Sequence, residues 1–407
     1  MIVSMAWRNL WRHKRRTLLT AVTMAFSVMI CIVMSGLTVG FLDAVRVAVV
    51  DRQIGHLQIH HADYPVTNSP YDTVPDASRV LAQLRSAQGV TVAAPRIQGF
   101  ALFGGAGEQA TTGMFMGVEP ATEALLTGMD ERITRGAWLS GNEPSVVIGY
   151  RLAKSLDLTV GDKLLVVANA LDGSIGDRVY PVVGIYRTTN LALDEGAVLP
   201  LPVAQELLVL DDAIHEIVVL TDDADTVDEA QPRLVAIVGD GVVVRTWWEI
   251  SPETLEMMAM QGATIGILAA LILGIAGFII INTLLMSVYE RTREFGVMAA
   301  IGTRPRQIVG LVLTESFLLG TVSAVLGLVL GLGADAYLAI EGIRMATGSD
   351  EGFVMAGVVL EPQVYAVITA DSVLVPVLTL FFVAVVGGLY PAMRAARLDP
   401  VTAIRQD

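Results

Sequence analysis

The sequence is poor in cysteine, in lysine and in charge of any kind. One cysteine, Cys31, in 407 residues leaves no disulfide framework and no cysteine-based metal site. Asp, Glu, Lys and Arg together make up 17% of the chain, against about 25% in an ordinary soluble domain. That excludes a single water-soluble globular enzyme. The balance is acidic, at −14, whereas a nucleic-acid binder needs a basic face for phosphates. There are three lysines, Lys14, Lys154 and Lys163, and none follows a glycine. A P-loop closes its glycine-rich turn with Gly-Lys-Ser/Thr, so the chain lacks that nucleotide cradle. Gly-x-Ser-x-Gly and His-Glu-x-x-His are missing too. Gly104-Gly105-Ala106-Gly107 reads as a loop, because no helix signal follows it. Of the histidines (His13, His56, His60, His61 and His215), three cluster, but Gly55-His-Leu-Gln-Ile-His60 alternates as a strand does. Packing or surface roles are therefore expected there, and no metal. The chain reads as a non-enzyme with no catalytic residues.

What is present is apolar. Long uncharged runs cover Leu18 to Phe41, Gly262 to Val288, Ile308 to Gly333 and Ser372 to Tyr390. About 20 residues cross the ~30 Å hydrocarbon core, so four transmembrane helices are expected over 18–41, 262–289, 308–337 and 372–390. The first run is too long for a secretory h-region and has no clean cleavage site after it. Ile30 before Cys31 also argues against lipoprotein processing. Twelve of the 27 basic residues fall in three short segments. These are Arg8, Arg12, Lys14, Arg15 and Arg16 in the 1–17 leader, Arg291, Arg293, Arg304 and Arg306 in 290–307, and Arg394, Arg397 and Arg405 in the 391–407 tail. Those segments hold four acids (Glu290, Glu294, Asp399 and Asp407), which leaves 15 basic against 37 acidic residues elsewhere. The positive-inside rule then puts both termini and 290–307 in the cytoplasm, and 42–261 and 338–371 outside.

The 42–261 segment is a domain. Short apolar runs such as Ser145–Gly149, Lys163–Ala168 and Val182–Tyr186, punctuated by Gly161-Asp162 and Asp172-Gly173, read as strands and turns. Helical patches at 77–87, 150–156, 203–208 and 227–237 interrupt them, giving an α+β domain that could divide into two lobes. Ser251-Pro252-Glu253 is a helix start. A helix from there to Tyr289 spans about 57 Å and outruns the bilayer. Span one can likewise continue through Asp43, Arg46 and Asp51, so helical stalks are expected to carry the domain.

The 290–307 connection carries Glu290, Arg291, Arg293 and Glu294, then the apolar Phe295, Val297, Met298 and Ile301. Gly296 lies within this run, Gly302 suits a C′ stop, and Pro305 suits the first turn of the next helix. The result is a short amphipathic helix along the membrane face, either an interfacial turn or a docking helix. This stretch, Tyr289 to Ile308, resembles the coupling-helix region of the FtsX-like, MacB-type ABC permeases, the type VII superfamily. Tyr390-Pro-Ala-Met-Arg-Ala-Ala-Arg-Leu-Asp-Pro-Val-Thr-Ala-Ile-Arg405 resembles their C-terminal signature, and Ala6–Thr17 their amphipathic leader. In the outer domain Val147–Asp162 and Val183-Gly-Ile185 match as well. Four spans with one large domain after the first, and Gly55–His60, are closest to the lipoprotein-releasing branch.

The resemblance implies a permease in a bacterial inner membrane. It would pair with a second copy, identical or paralogous, and with two copies of a cytoplasmic ATPase that holds ATP and Mg; none is bound by this chain directly. The implied task is extraction of a lipoprotein or other amphiphile from the outer leaflet, with a periplasmic acceptor or adaptor. Efflux of a drug, peptide or haem, and mechanotransmission to cell-envelope enzymes, are the alternatives. Gly262, Gly266, Ala270 and Gly274 form a small-residue ridge for helix packing or substrate passage, and Gly327-x-x-x-Gly331 is similar. Met24, Met29 and Met34 in span one, with Met257, Met258 and Met260 above span two, offer pliable apolar lining. Glu315 is an intramembrane acid expected to hydrogen-bond structurally. Trp7, Leu10 and Trp11 face opposite Arg8, Arg12, Arg15 and Arg16 on a leader that lies among lipid headgroups.

Overall fold

The computed structural model describes residues 2–64, 69, 71–105, 107, 109–188, 190–239, 241–344, 353–355, 358–360, 363–399 and 403. Arg405, Asp407 and the other residues of 400–402 and 404–407, much of the 338–371 connection, and Ala106 lie outside the described residues. The chain divides into two compact units. One is Met1–Asp43 with Met257–Met345 and Gln363–Asp407; the other is Ala44–Glu256 with Ala346–Pro362.

The first unit is helical. After a leader helix, Ile2–Leu10, come Lys14–Arg46 (span one), Pro252–Glu290 (span two), Pro305–Glu341 (span three) and Ala370–Ala396 (span four). All four are long and apolar enough to cross a membrane. Their ends follow local chemistry. Before span two, the Ser251 hydroxyl donates to Glu253 Oε1 at 2.7 Å, and Pro252 opens the helix where its missing N–H costs nothing. A connecting helix, Thr292–Ala300, stops at Gly302, whose φ of +92° suits a residue without Cβ. Pro305 then begins span three.

Helix contacts in this unit run through glycines. A Cβ on Gly327 would stand 2.7 Å from the Ala25 carbonyl oxygen, and one on Gly331 3.0 Å from Ile32 Cδ1. Spans one and three therefore meet at the Gly-x-x-x-Gly ridge. Spans three and four meet where Gly388 faces Ser316, whose hydroxyl donates to the Ala384 carbonyl at 2.6 Å. Met24, Val28, Ile32, Ile280, Leu319 and Leu380 fill the space between.

The second unit is built on one continuous ten-stranded sheet. Its strands are β1 (Leu57–His61), β2 (Val90–Gly104), β3 (Ala110–Val118), β4 (Ile133–Gly136), β5 (Val146–Gly149), β6 (Lys163–Asn169), β7 (Ile175–Tyr186), β8 (Ala197–Pro200), β9 (Glu216–Thr221) and β10 (Val242–Thr246). The order is β10-β1-β9-β2-β3-β8-β5-β7-β4, with β6 joining β2 to β7. Two pairs, β3–β8 and β5–β7, are parallel. The remaining pairs are antiparallel and helices pack beside the sheet, so the unit is the α+β domain that the strand and helix signals suggested, its strands joined in one hydrogen-bonded sheet. Parallel pairing joins segments far apart in the chain, which local strand signals do not encode. Helices at Ala77–Arg85, Pro120–Thr127, Tyr150–Ser155, Leu201–Leu208 and Val227–Val238 accompany it. Ahead of β1, Val47–Ile54 is π-helical and ends where Gly55, at φ +74°, returns its N–H to the Val50 carbonyl at 2.7 Å.

Candidate coupling site

The helical unit concentrates its charge where the leader, the connecting helix and the start of span three converge. Glu315, on the apolar helix Pro305–Glu341, is 3% exposed. An isolated carboxylate there would be costly. It accepts hydrogen bonds from Arg291 Nη1 at 2.9 Å and Asn9 Nδ2 at 2.7 Å, both on Oε1. Arg291 is itself buried. Its Nε donates to Glu294 Oε2 at 2.9 Å, and its guanidinium lies 5.0 Å from the Phe295 ring centroid. Burial works against the Arg291 charge, but Glu315 and Glu294 outweigh it and hold its pKa above the ordinary value.

The same acids fasten the leader. Arg12 Nη1 donates to Glu294, Arg16 Nη1 to Glu290 at 2.7 Å, and His13 lies 3.7 Å from Glu290. For Glu294, burial raises the pKa, yet hydrogen bonds from Arg291 and Arg12 prevail and leave it below the usual carboxylate range. Two of the leader's arginines are therefore taken up by protein carboxylates, where the sequence had assigned that face to headgroups. Trp7 and Trp11 are half-exposed and meet edge to face at 5.8 Å.

The predicted coupling residues thus separate by depth. Arg291, Phe295 and Gly296 are interior, with Phe295 packed among Val288, Ile308, Leu311 and Val312. Met298 packs partly against the same cluster. Glu290 and Glu294 bind the leader, and Arg293, Gly302 and Pro305 are exposed. Val297 and Ile301, at 45% and 78% exposed, share that outer surface. Asn9, Arg12 and Arg16 are members that sequence reasoning missed; the excess of leader cations opposite two acids of a distant connection was the available signal.

The substrate-path candidates divide as well. Met24 is fully buried, and the Ser323 hydroxyl points to its sulfur at 3.7 Å. Met29, Met34, Met257 and Met258 are half-buried and Met260 exposed. On span two, a Cβ on Gly262, Gly266 or Gly274 would meet nothing within 4 Å, and Ala270 is exposed. That ridge is open within the chain.

Residues 266–400 match the family model of the FtsX-like permease C-terminal region, and residues 17–237 match the MacB-like periplasmic core domain. The chain belongs to the FtsX-like, MacB-type ABC permeases. Among curated relatives, an uncharacterized ABC transporter permease of Methanocaldococcus jannaschii is 26% identical over 67% of this chain and 65% of its own length. The macrolide export ATP-binding/permease protein MacB of Nitrobacter winogradskyi is 28% identical over 64% of this chain and 38% of its own. The lipoprotein-releasing system transmembrane protein LolC of Neisseria meningitidis is 24% identical over 83% of each. The chain thus spans less than two thirds of the first two. The solved periplasmic region of MacB from Actinobacillus actinomycetemcomitans, 14% identical, superposes on 49% of this chain and 92% of that one with a TM-score of 0.37. In this type VII permease the charged cluster occupies the connection that follows span two.

Proposed function

We propose that this permease is the membrane subunit through which a separate ATPase, holding ATP and Mg, extracts a lipid-anchored protein or similar amphiphile from the outer leaflet of a bacterial inner membrane. Two permease copies and two ATPase copies form the working complex. The ATPases dock on the exposed Arg293–Val297–Ile301 surface of the connecting helix, and an acceptor or adaptor receives the cargo outside. Arg291 and Glu315 tie that helix to span three, so a push on it is carried into the membrane.

The observation that carries the reading is the open ridge of span two. Gly262, Gly266, Ala270 and Gly274 present no bulk, and Ile267, Leu271, Ile275 and Phe278 beside them are 60–71% exposed. An acyl chain gains about 0.8 kcal/mol per buried CH₂, so it is held by a long apolar track and needs no polar pocket. A photo-crosslinker at Ile267, used in cells on the complete complex, should capture a lipidated protein, and ATP turnover should lower the yield. Adducts only with a second permease copy, unchanged by ATP, would make this face a dimer seam and remove the substrate path from it.

A further inference from the structure

The sheet unit holds a cavity of about 300 Å³ whose lining the coupling and extraction roles do not use. Its floor is a row of directly paired residues across three neighbouring strands: His60 on β1 faces Glu216 on β9, which faces Arg96 on β2. All three are at most 4% exposed. Arg96 commits three of its five N–H groups. Nε and Nη2 reach the two oxygens of Glu123 at 3.0 and 2.8 Å, and Nη1 donates to the Gln53 carbonyl at 2.8 Å. Glu216 Oε1 lies 3.7 Å from Nη1 and accepts from Gln98 Nε2 at 2.7 Å. One guanidinium therefore serves two buried carboxyls, and with both ionised the Arg96, Glu123 and Glu216 group is one positive charge short.

His60 adds a second deficit. Its Nδ1 lies 2.9 Å from the His61 carbonyl, which can only accept, so Nδ1 carries the proton. Burial lowers the ring's pKa and so favours its neutral form. Nε2 is then a lone-pair acceptor, and it has no hydrogen-bond partner. Burial likewise raises the Glu216 carboxyl above its ordinary range in spite of Arg96, as expected of a carboxylate with too little positive charge around it. Met114 and Leu193 supply apolar wall, and Arg52 and Arg132 bring positive charge to the same lining.

We propose that this cavity binds a small aliphatic amino acid or similar zwitterion, with its ammonium group against Glu216 and His60 and its carboxylate toward Arg52 and Arg132. A primary ammonium supplies both the missing charge and the missing donors. The apolar wall takes a short methylene body, and the volume lies at the small end of ligand pockets, roughly 300–1,000 Å³. The occupant would also touch Ala48 and Gln53 of the π-helical segment, whose Gln53 carbonyl Arg96 already holds. Binding would thereby report the outer medium to the segment through which span one enters the domain.

The test uses the full chain in lipid nanodiscs and calorimetric titration with three probes: 5-aminopentanoate, pentylamine and pentanoate. Saturable binding of 5-aminopentanoate at one site per chain is expected, with pentylamine several-fold weaker and pentanoate silent up to 10 mM. Glu216→Gln should weaken 5-aminopentanoate at least tenfold. Should that variant fold poorly, the exposed Arg52→Ala should weaken 5-aminopentanoate three- to tenfold and leave pentylamine unchanged. No saturable binding of the two amines, equal binding of pentanoate, or variants that bind like the parent would each overturn the proposal.

Discussion

At the scale of single residues, the candidate coupling site is held by one buried ion pair. Arg291 and Glu315 are 7% and 4% exposed at their side chains, and neither has water to fall back on. A buried pair is weak evidence of net stability, but removing one partner leaves an uncompensated charge and costs about 3–5 kcal/mol. Arg291→Ala should therefore lower the thermal midpoint of the purified chain sharply, while Glu315→Gln, which keeps an acceptor for Asn9, should lower it less. Equal midpoints for the parent and Arg291→Ala would show that Glu315 finds another partner. Glu315 was legible as a hydrogen-bonding acid, since an ionisable group in an apolar helix must be satisfied. Arg291 was not. Within Glu290–Glu294 every charge looks alike, and only the fold shows that Arg291 turns inward and that Glu290 and Glu294 face the leader.

Among elements, the connecting helix has one buried face and one open face. Phe295 is 1% exposed and fixed in the interior, whereas Val297 and Ile301 are open with Arg293 beside them. Exposed side chains contribute little to stability but can set a partner's position. The double variant Arg293→Ala, Ile301→Ala should keep the parent's thermal midpoint and lose at least tenfold in ATPase affinity, read by co-purification at graded ATPase concentration. An unchanged affinity would return this helix to an interfacial anchor. The glycine ridges show what sequence conveys at this scale. Gly327 and Gly331 and the span-two set share one four-residue spacing, yet the first pair is packed against span one and the second set is open. Spacing specifies that helices can approach; which neighbour fills the groove depends on how all four spans assemble. Helix starts at Pro252 and Pro305 and the stop at Gly302 were legible because caps are local chemistry. The parallel pairs β3–β8 and β5–β7 were not, because they join distant segments.

For the whole molecule, the distribution of charge is the basis of a proposed orientation that coordinates alone do not supply. Twelve of the 27 basic residues lie in the leader, the 290–307 connection and the tail, while the remainder of the chain holds 37 acids against 15 bases. Short basic segments next to spans resist translocation, and long acidic domains cross largely regardless of charge. The proposed orientation follows: both termini on the cytoplasmic side with the connecting helix, and 42–261 on the other. Two positions allow this to be read without disturbing either unit. Ser174 is exposed in the turn beside Gly173 and Thr303 follows the open Gly302, and neither has a positive φ. Ser174→Cys, introduced in a Cys31→Ser background, should react with a membrane-impermeant maleimide in intact spheroplasts, and Thr303→Cys only after the membrane is opened. Labelling at 303 in sealed spheroplasts, with 174 protected, would invert the chain. An ATPase confined to the cytoplasm would then have no access to the connecting helix, and the coupling and extraction roles would fall together.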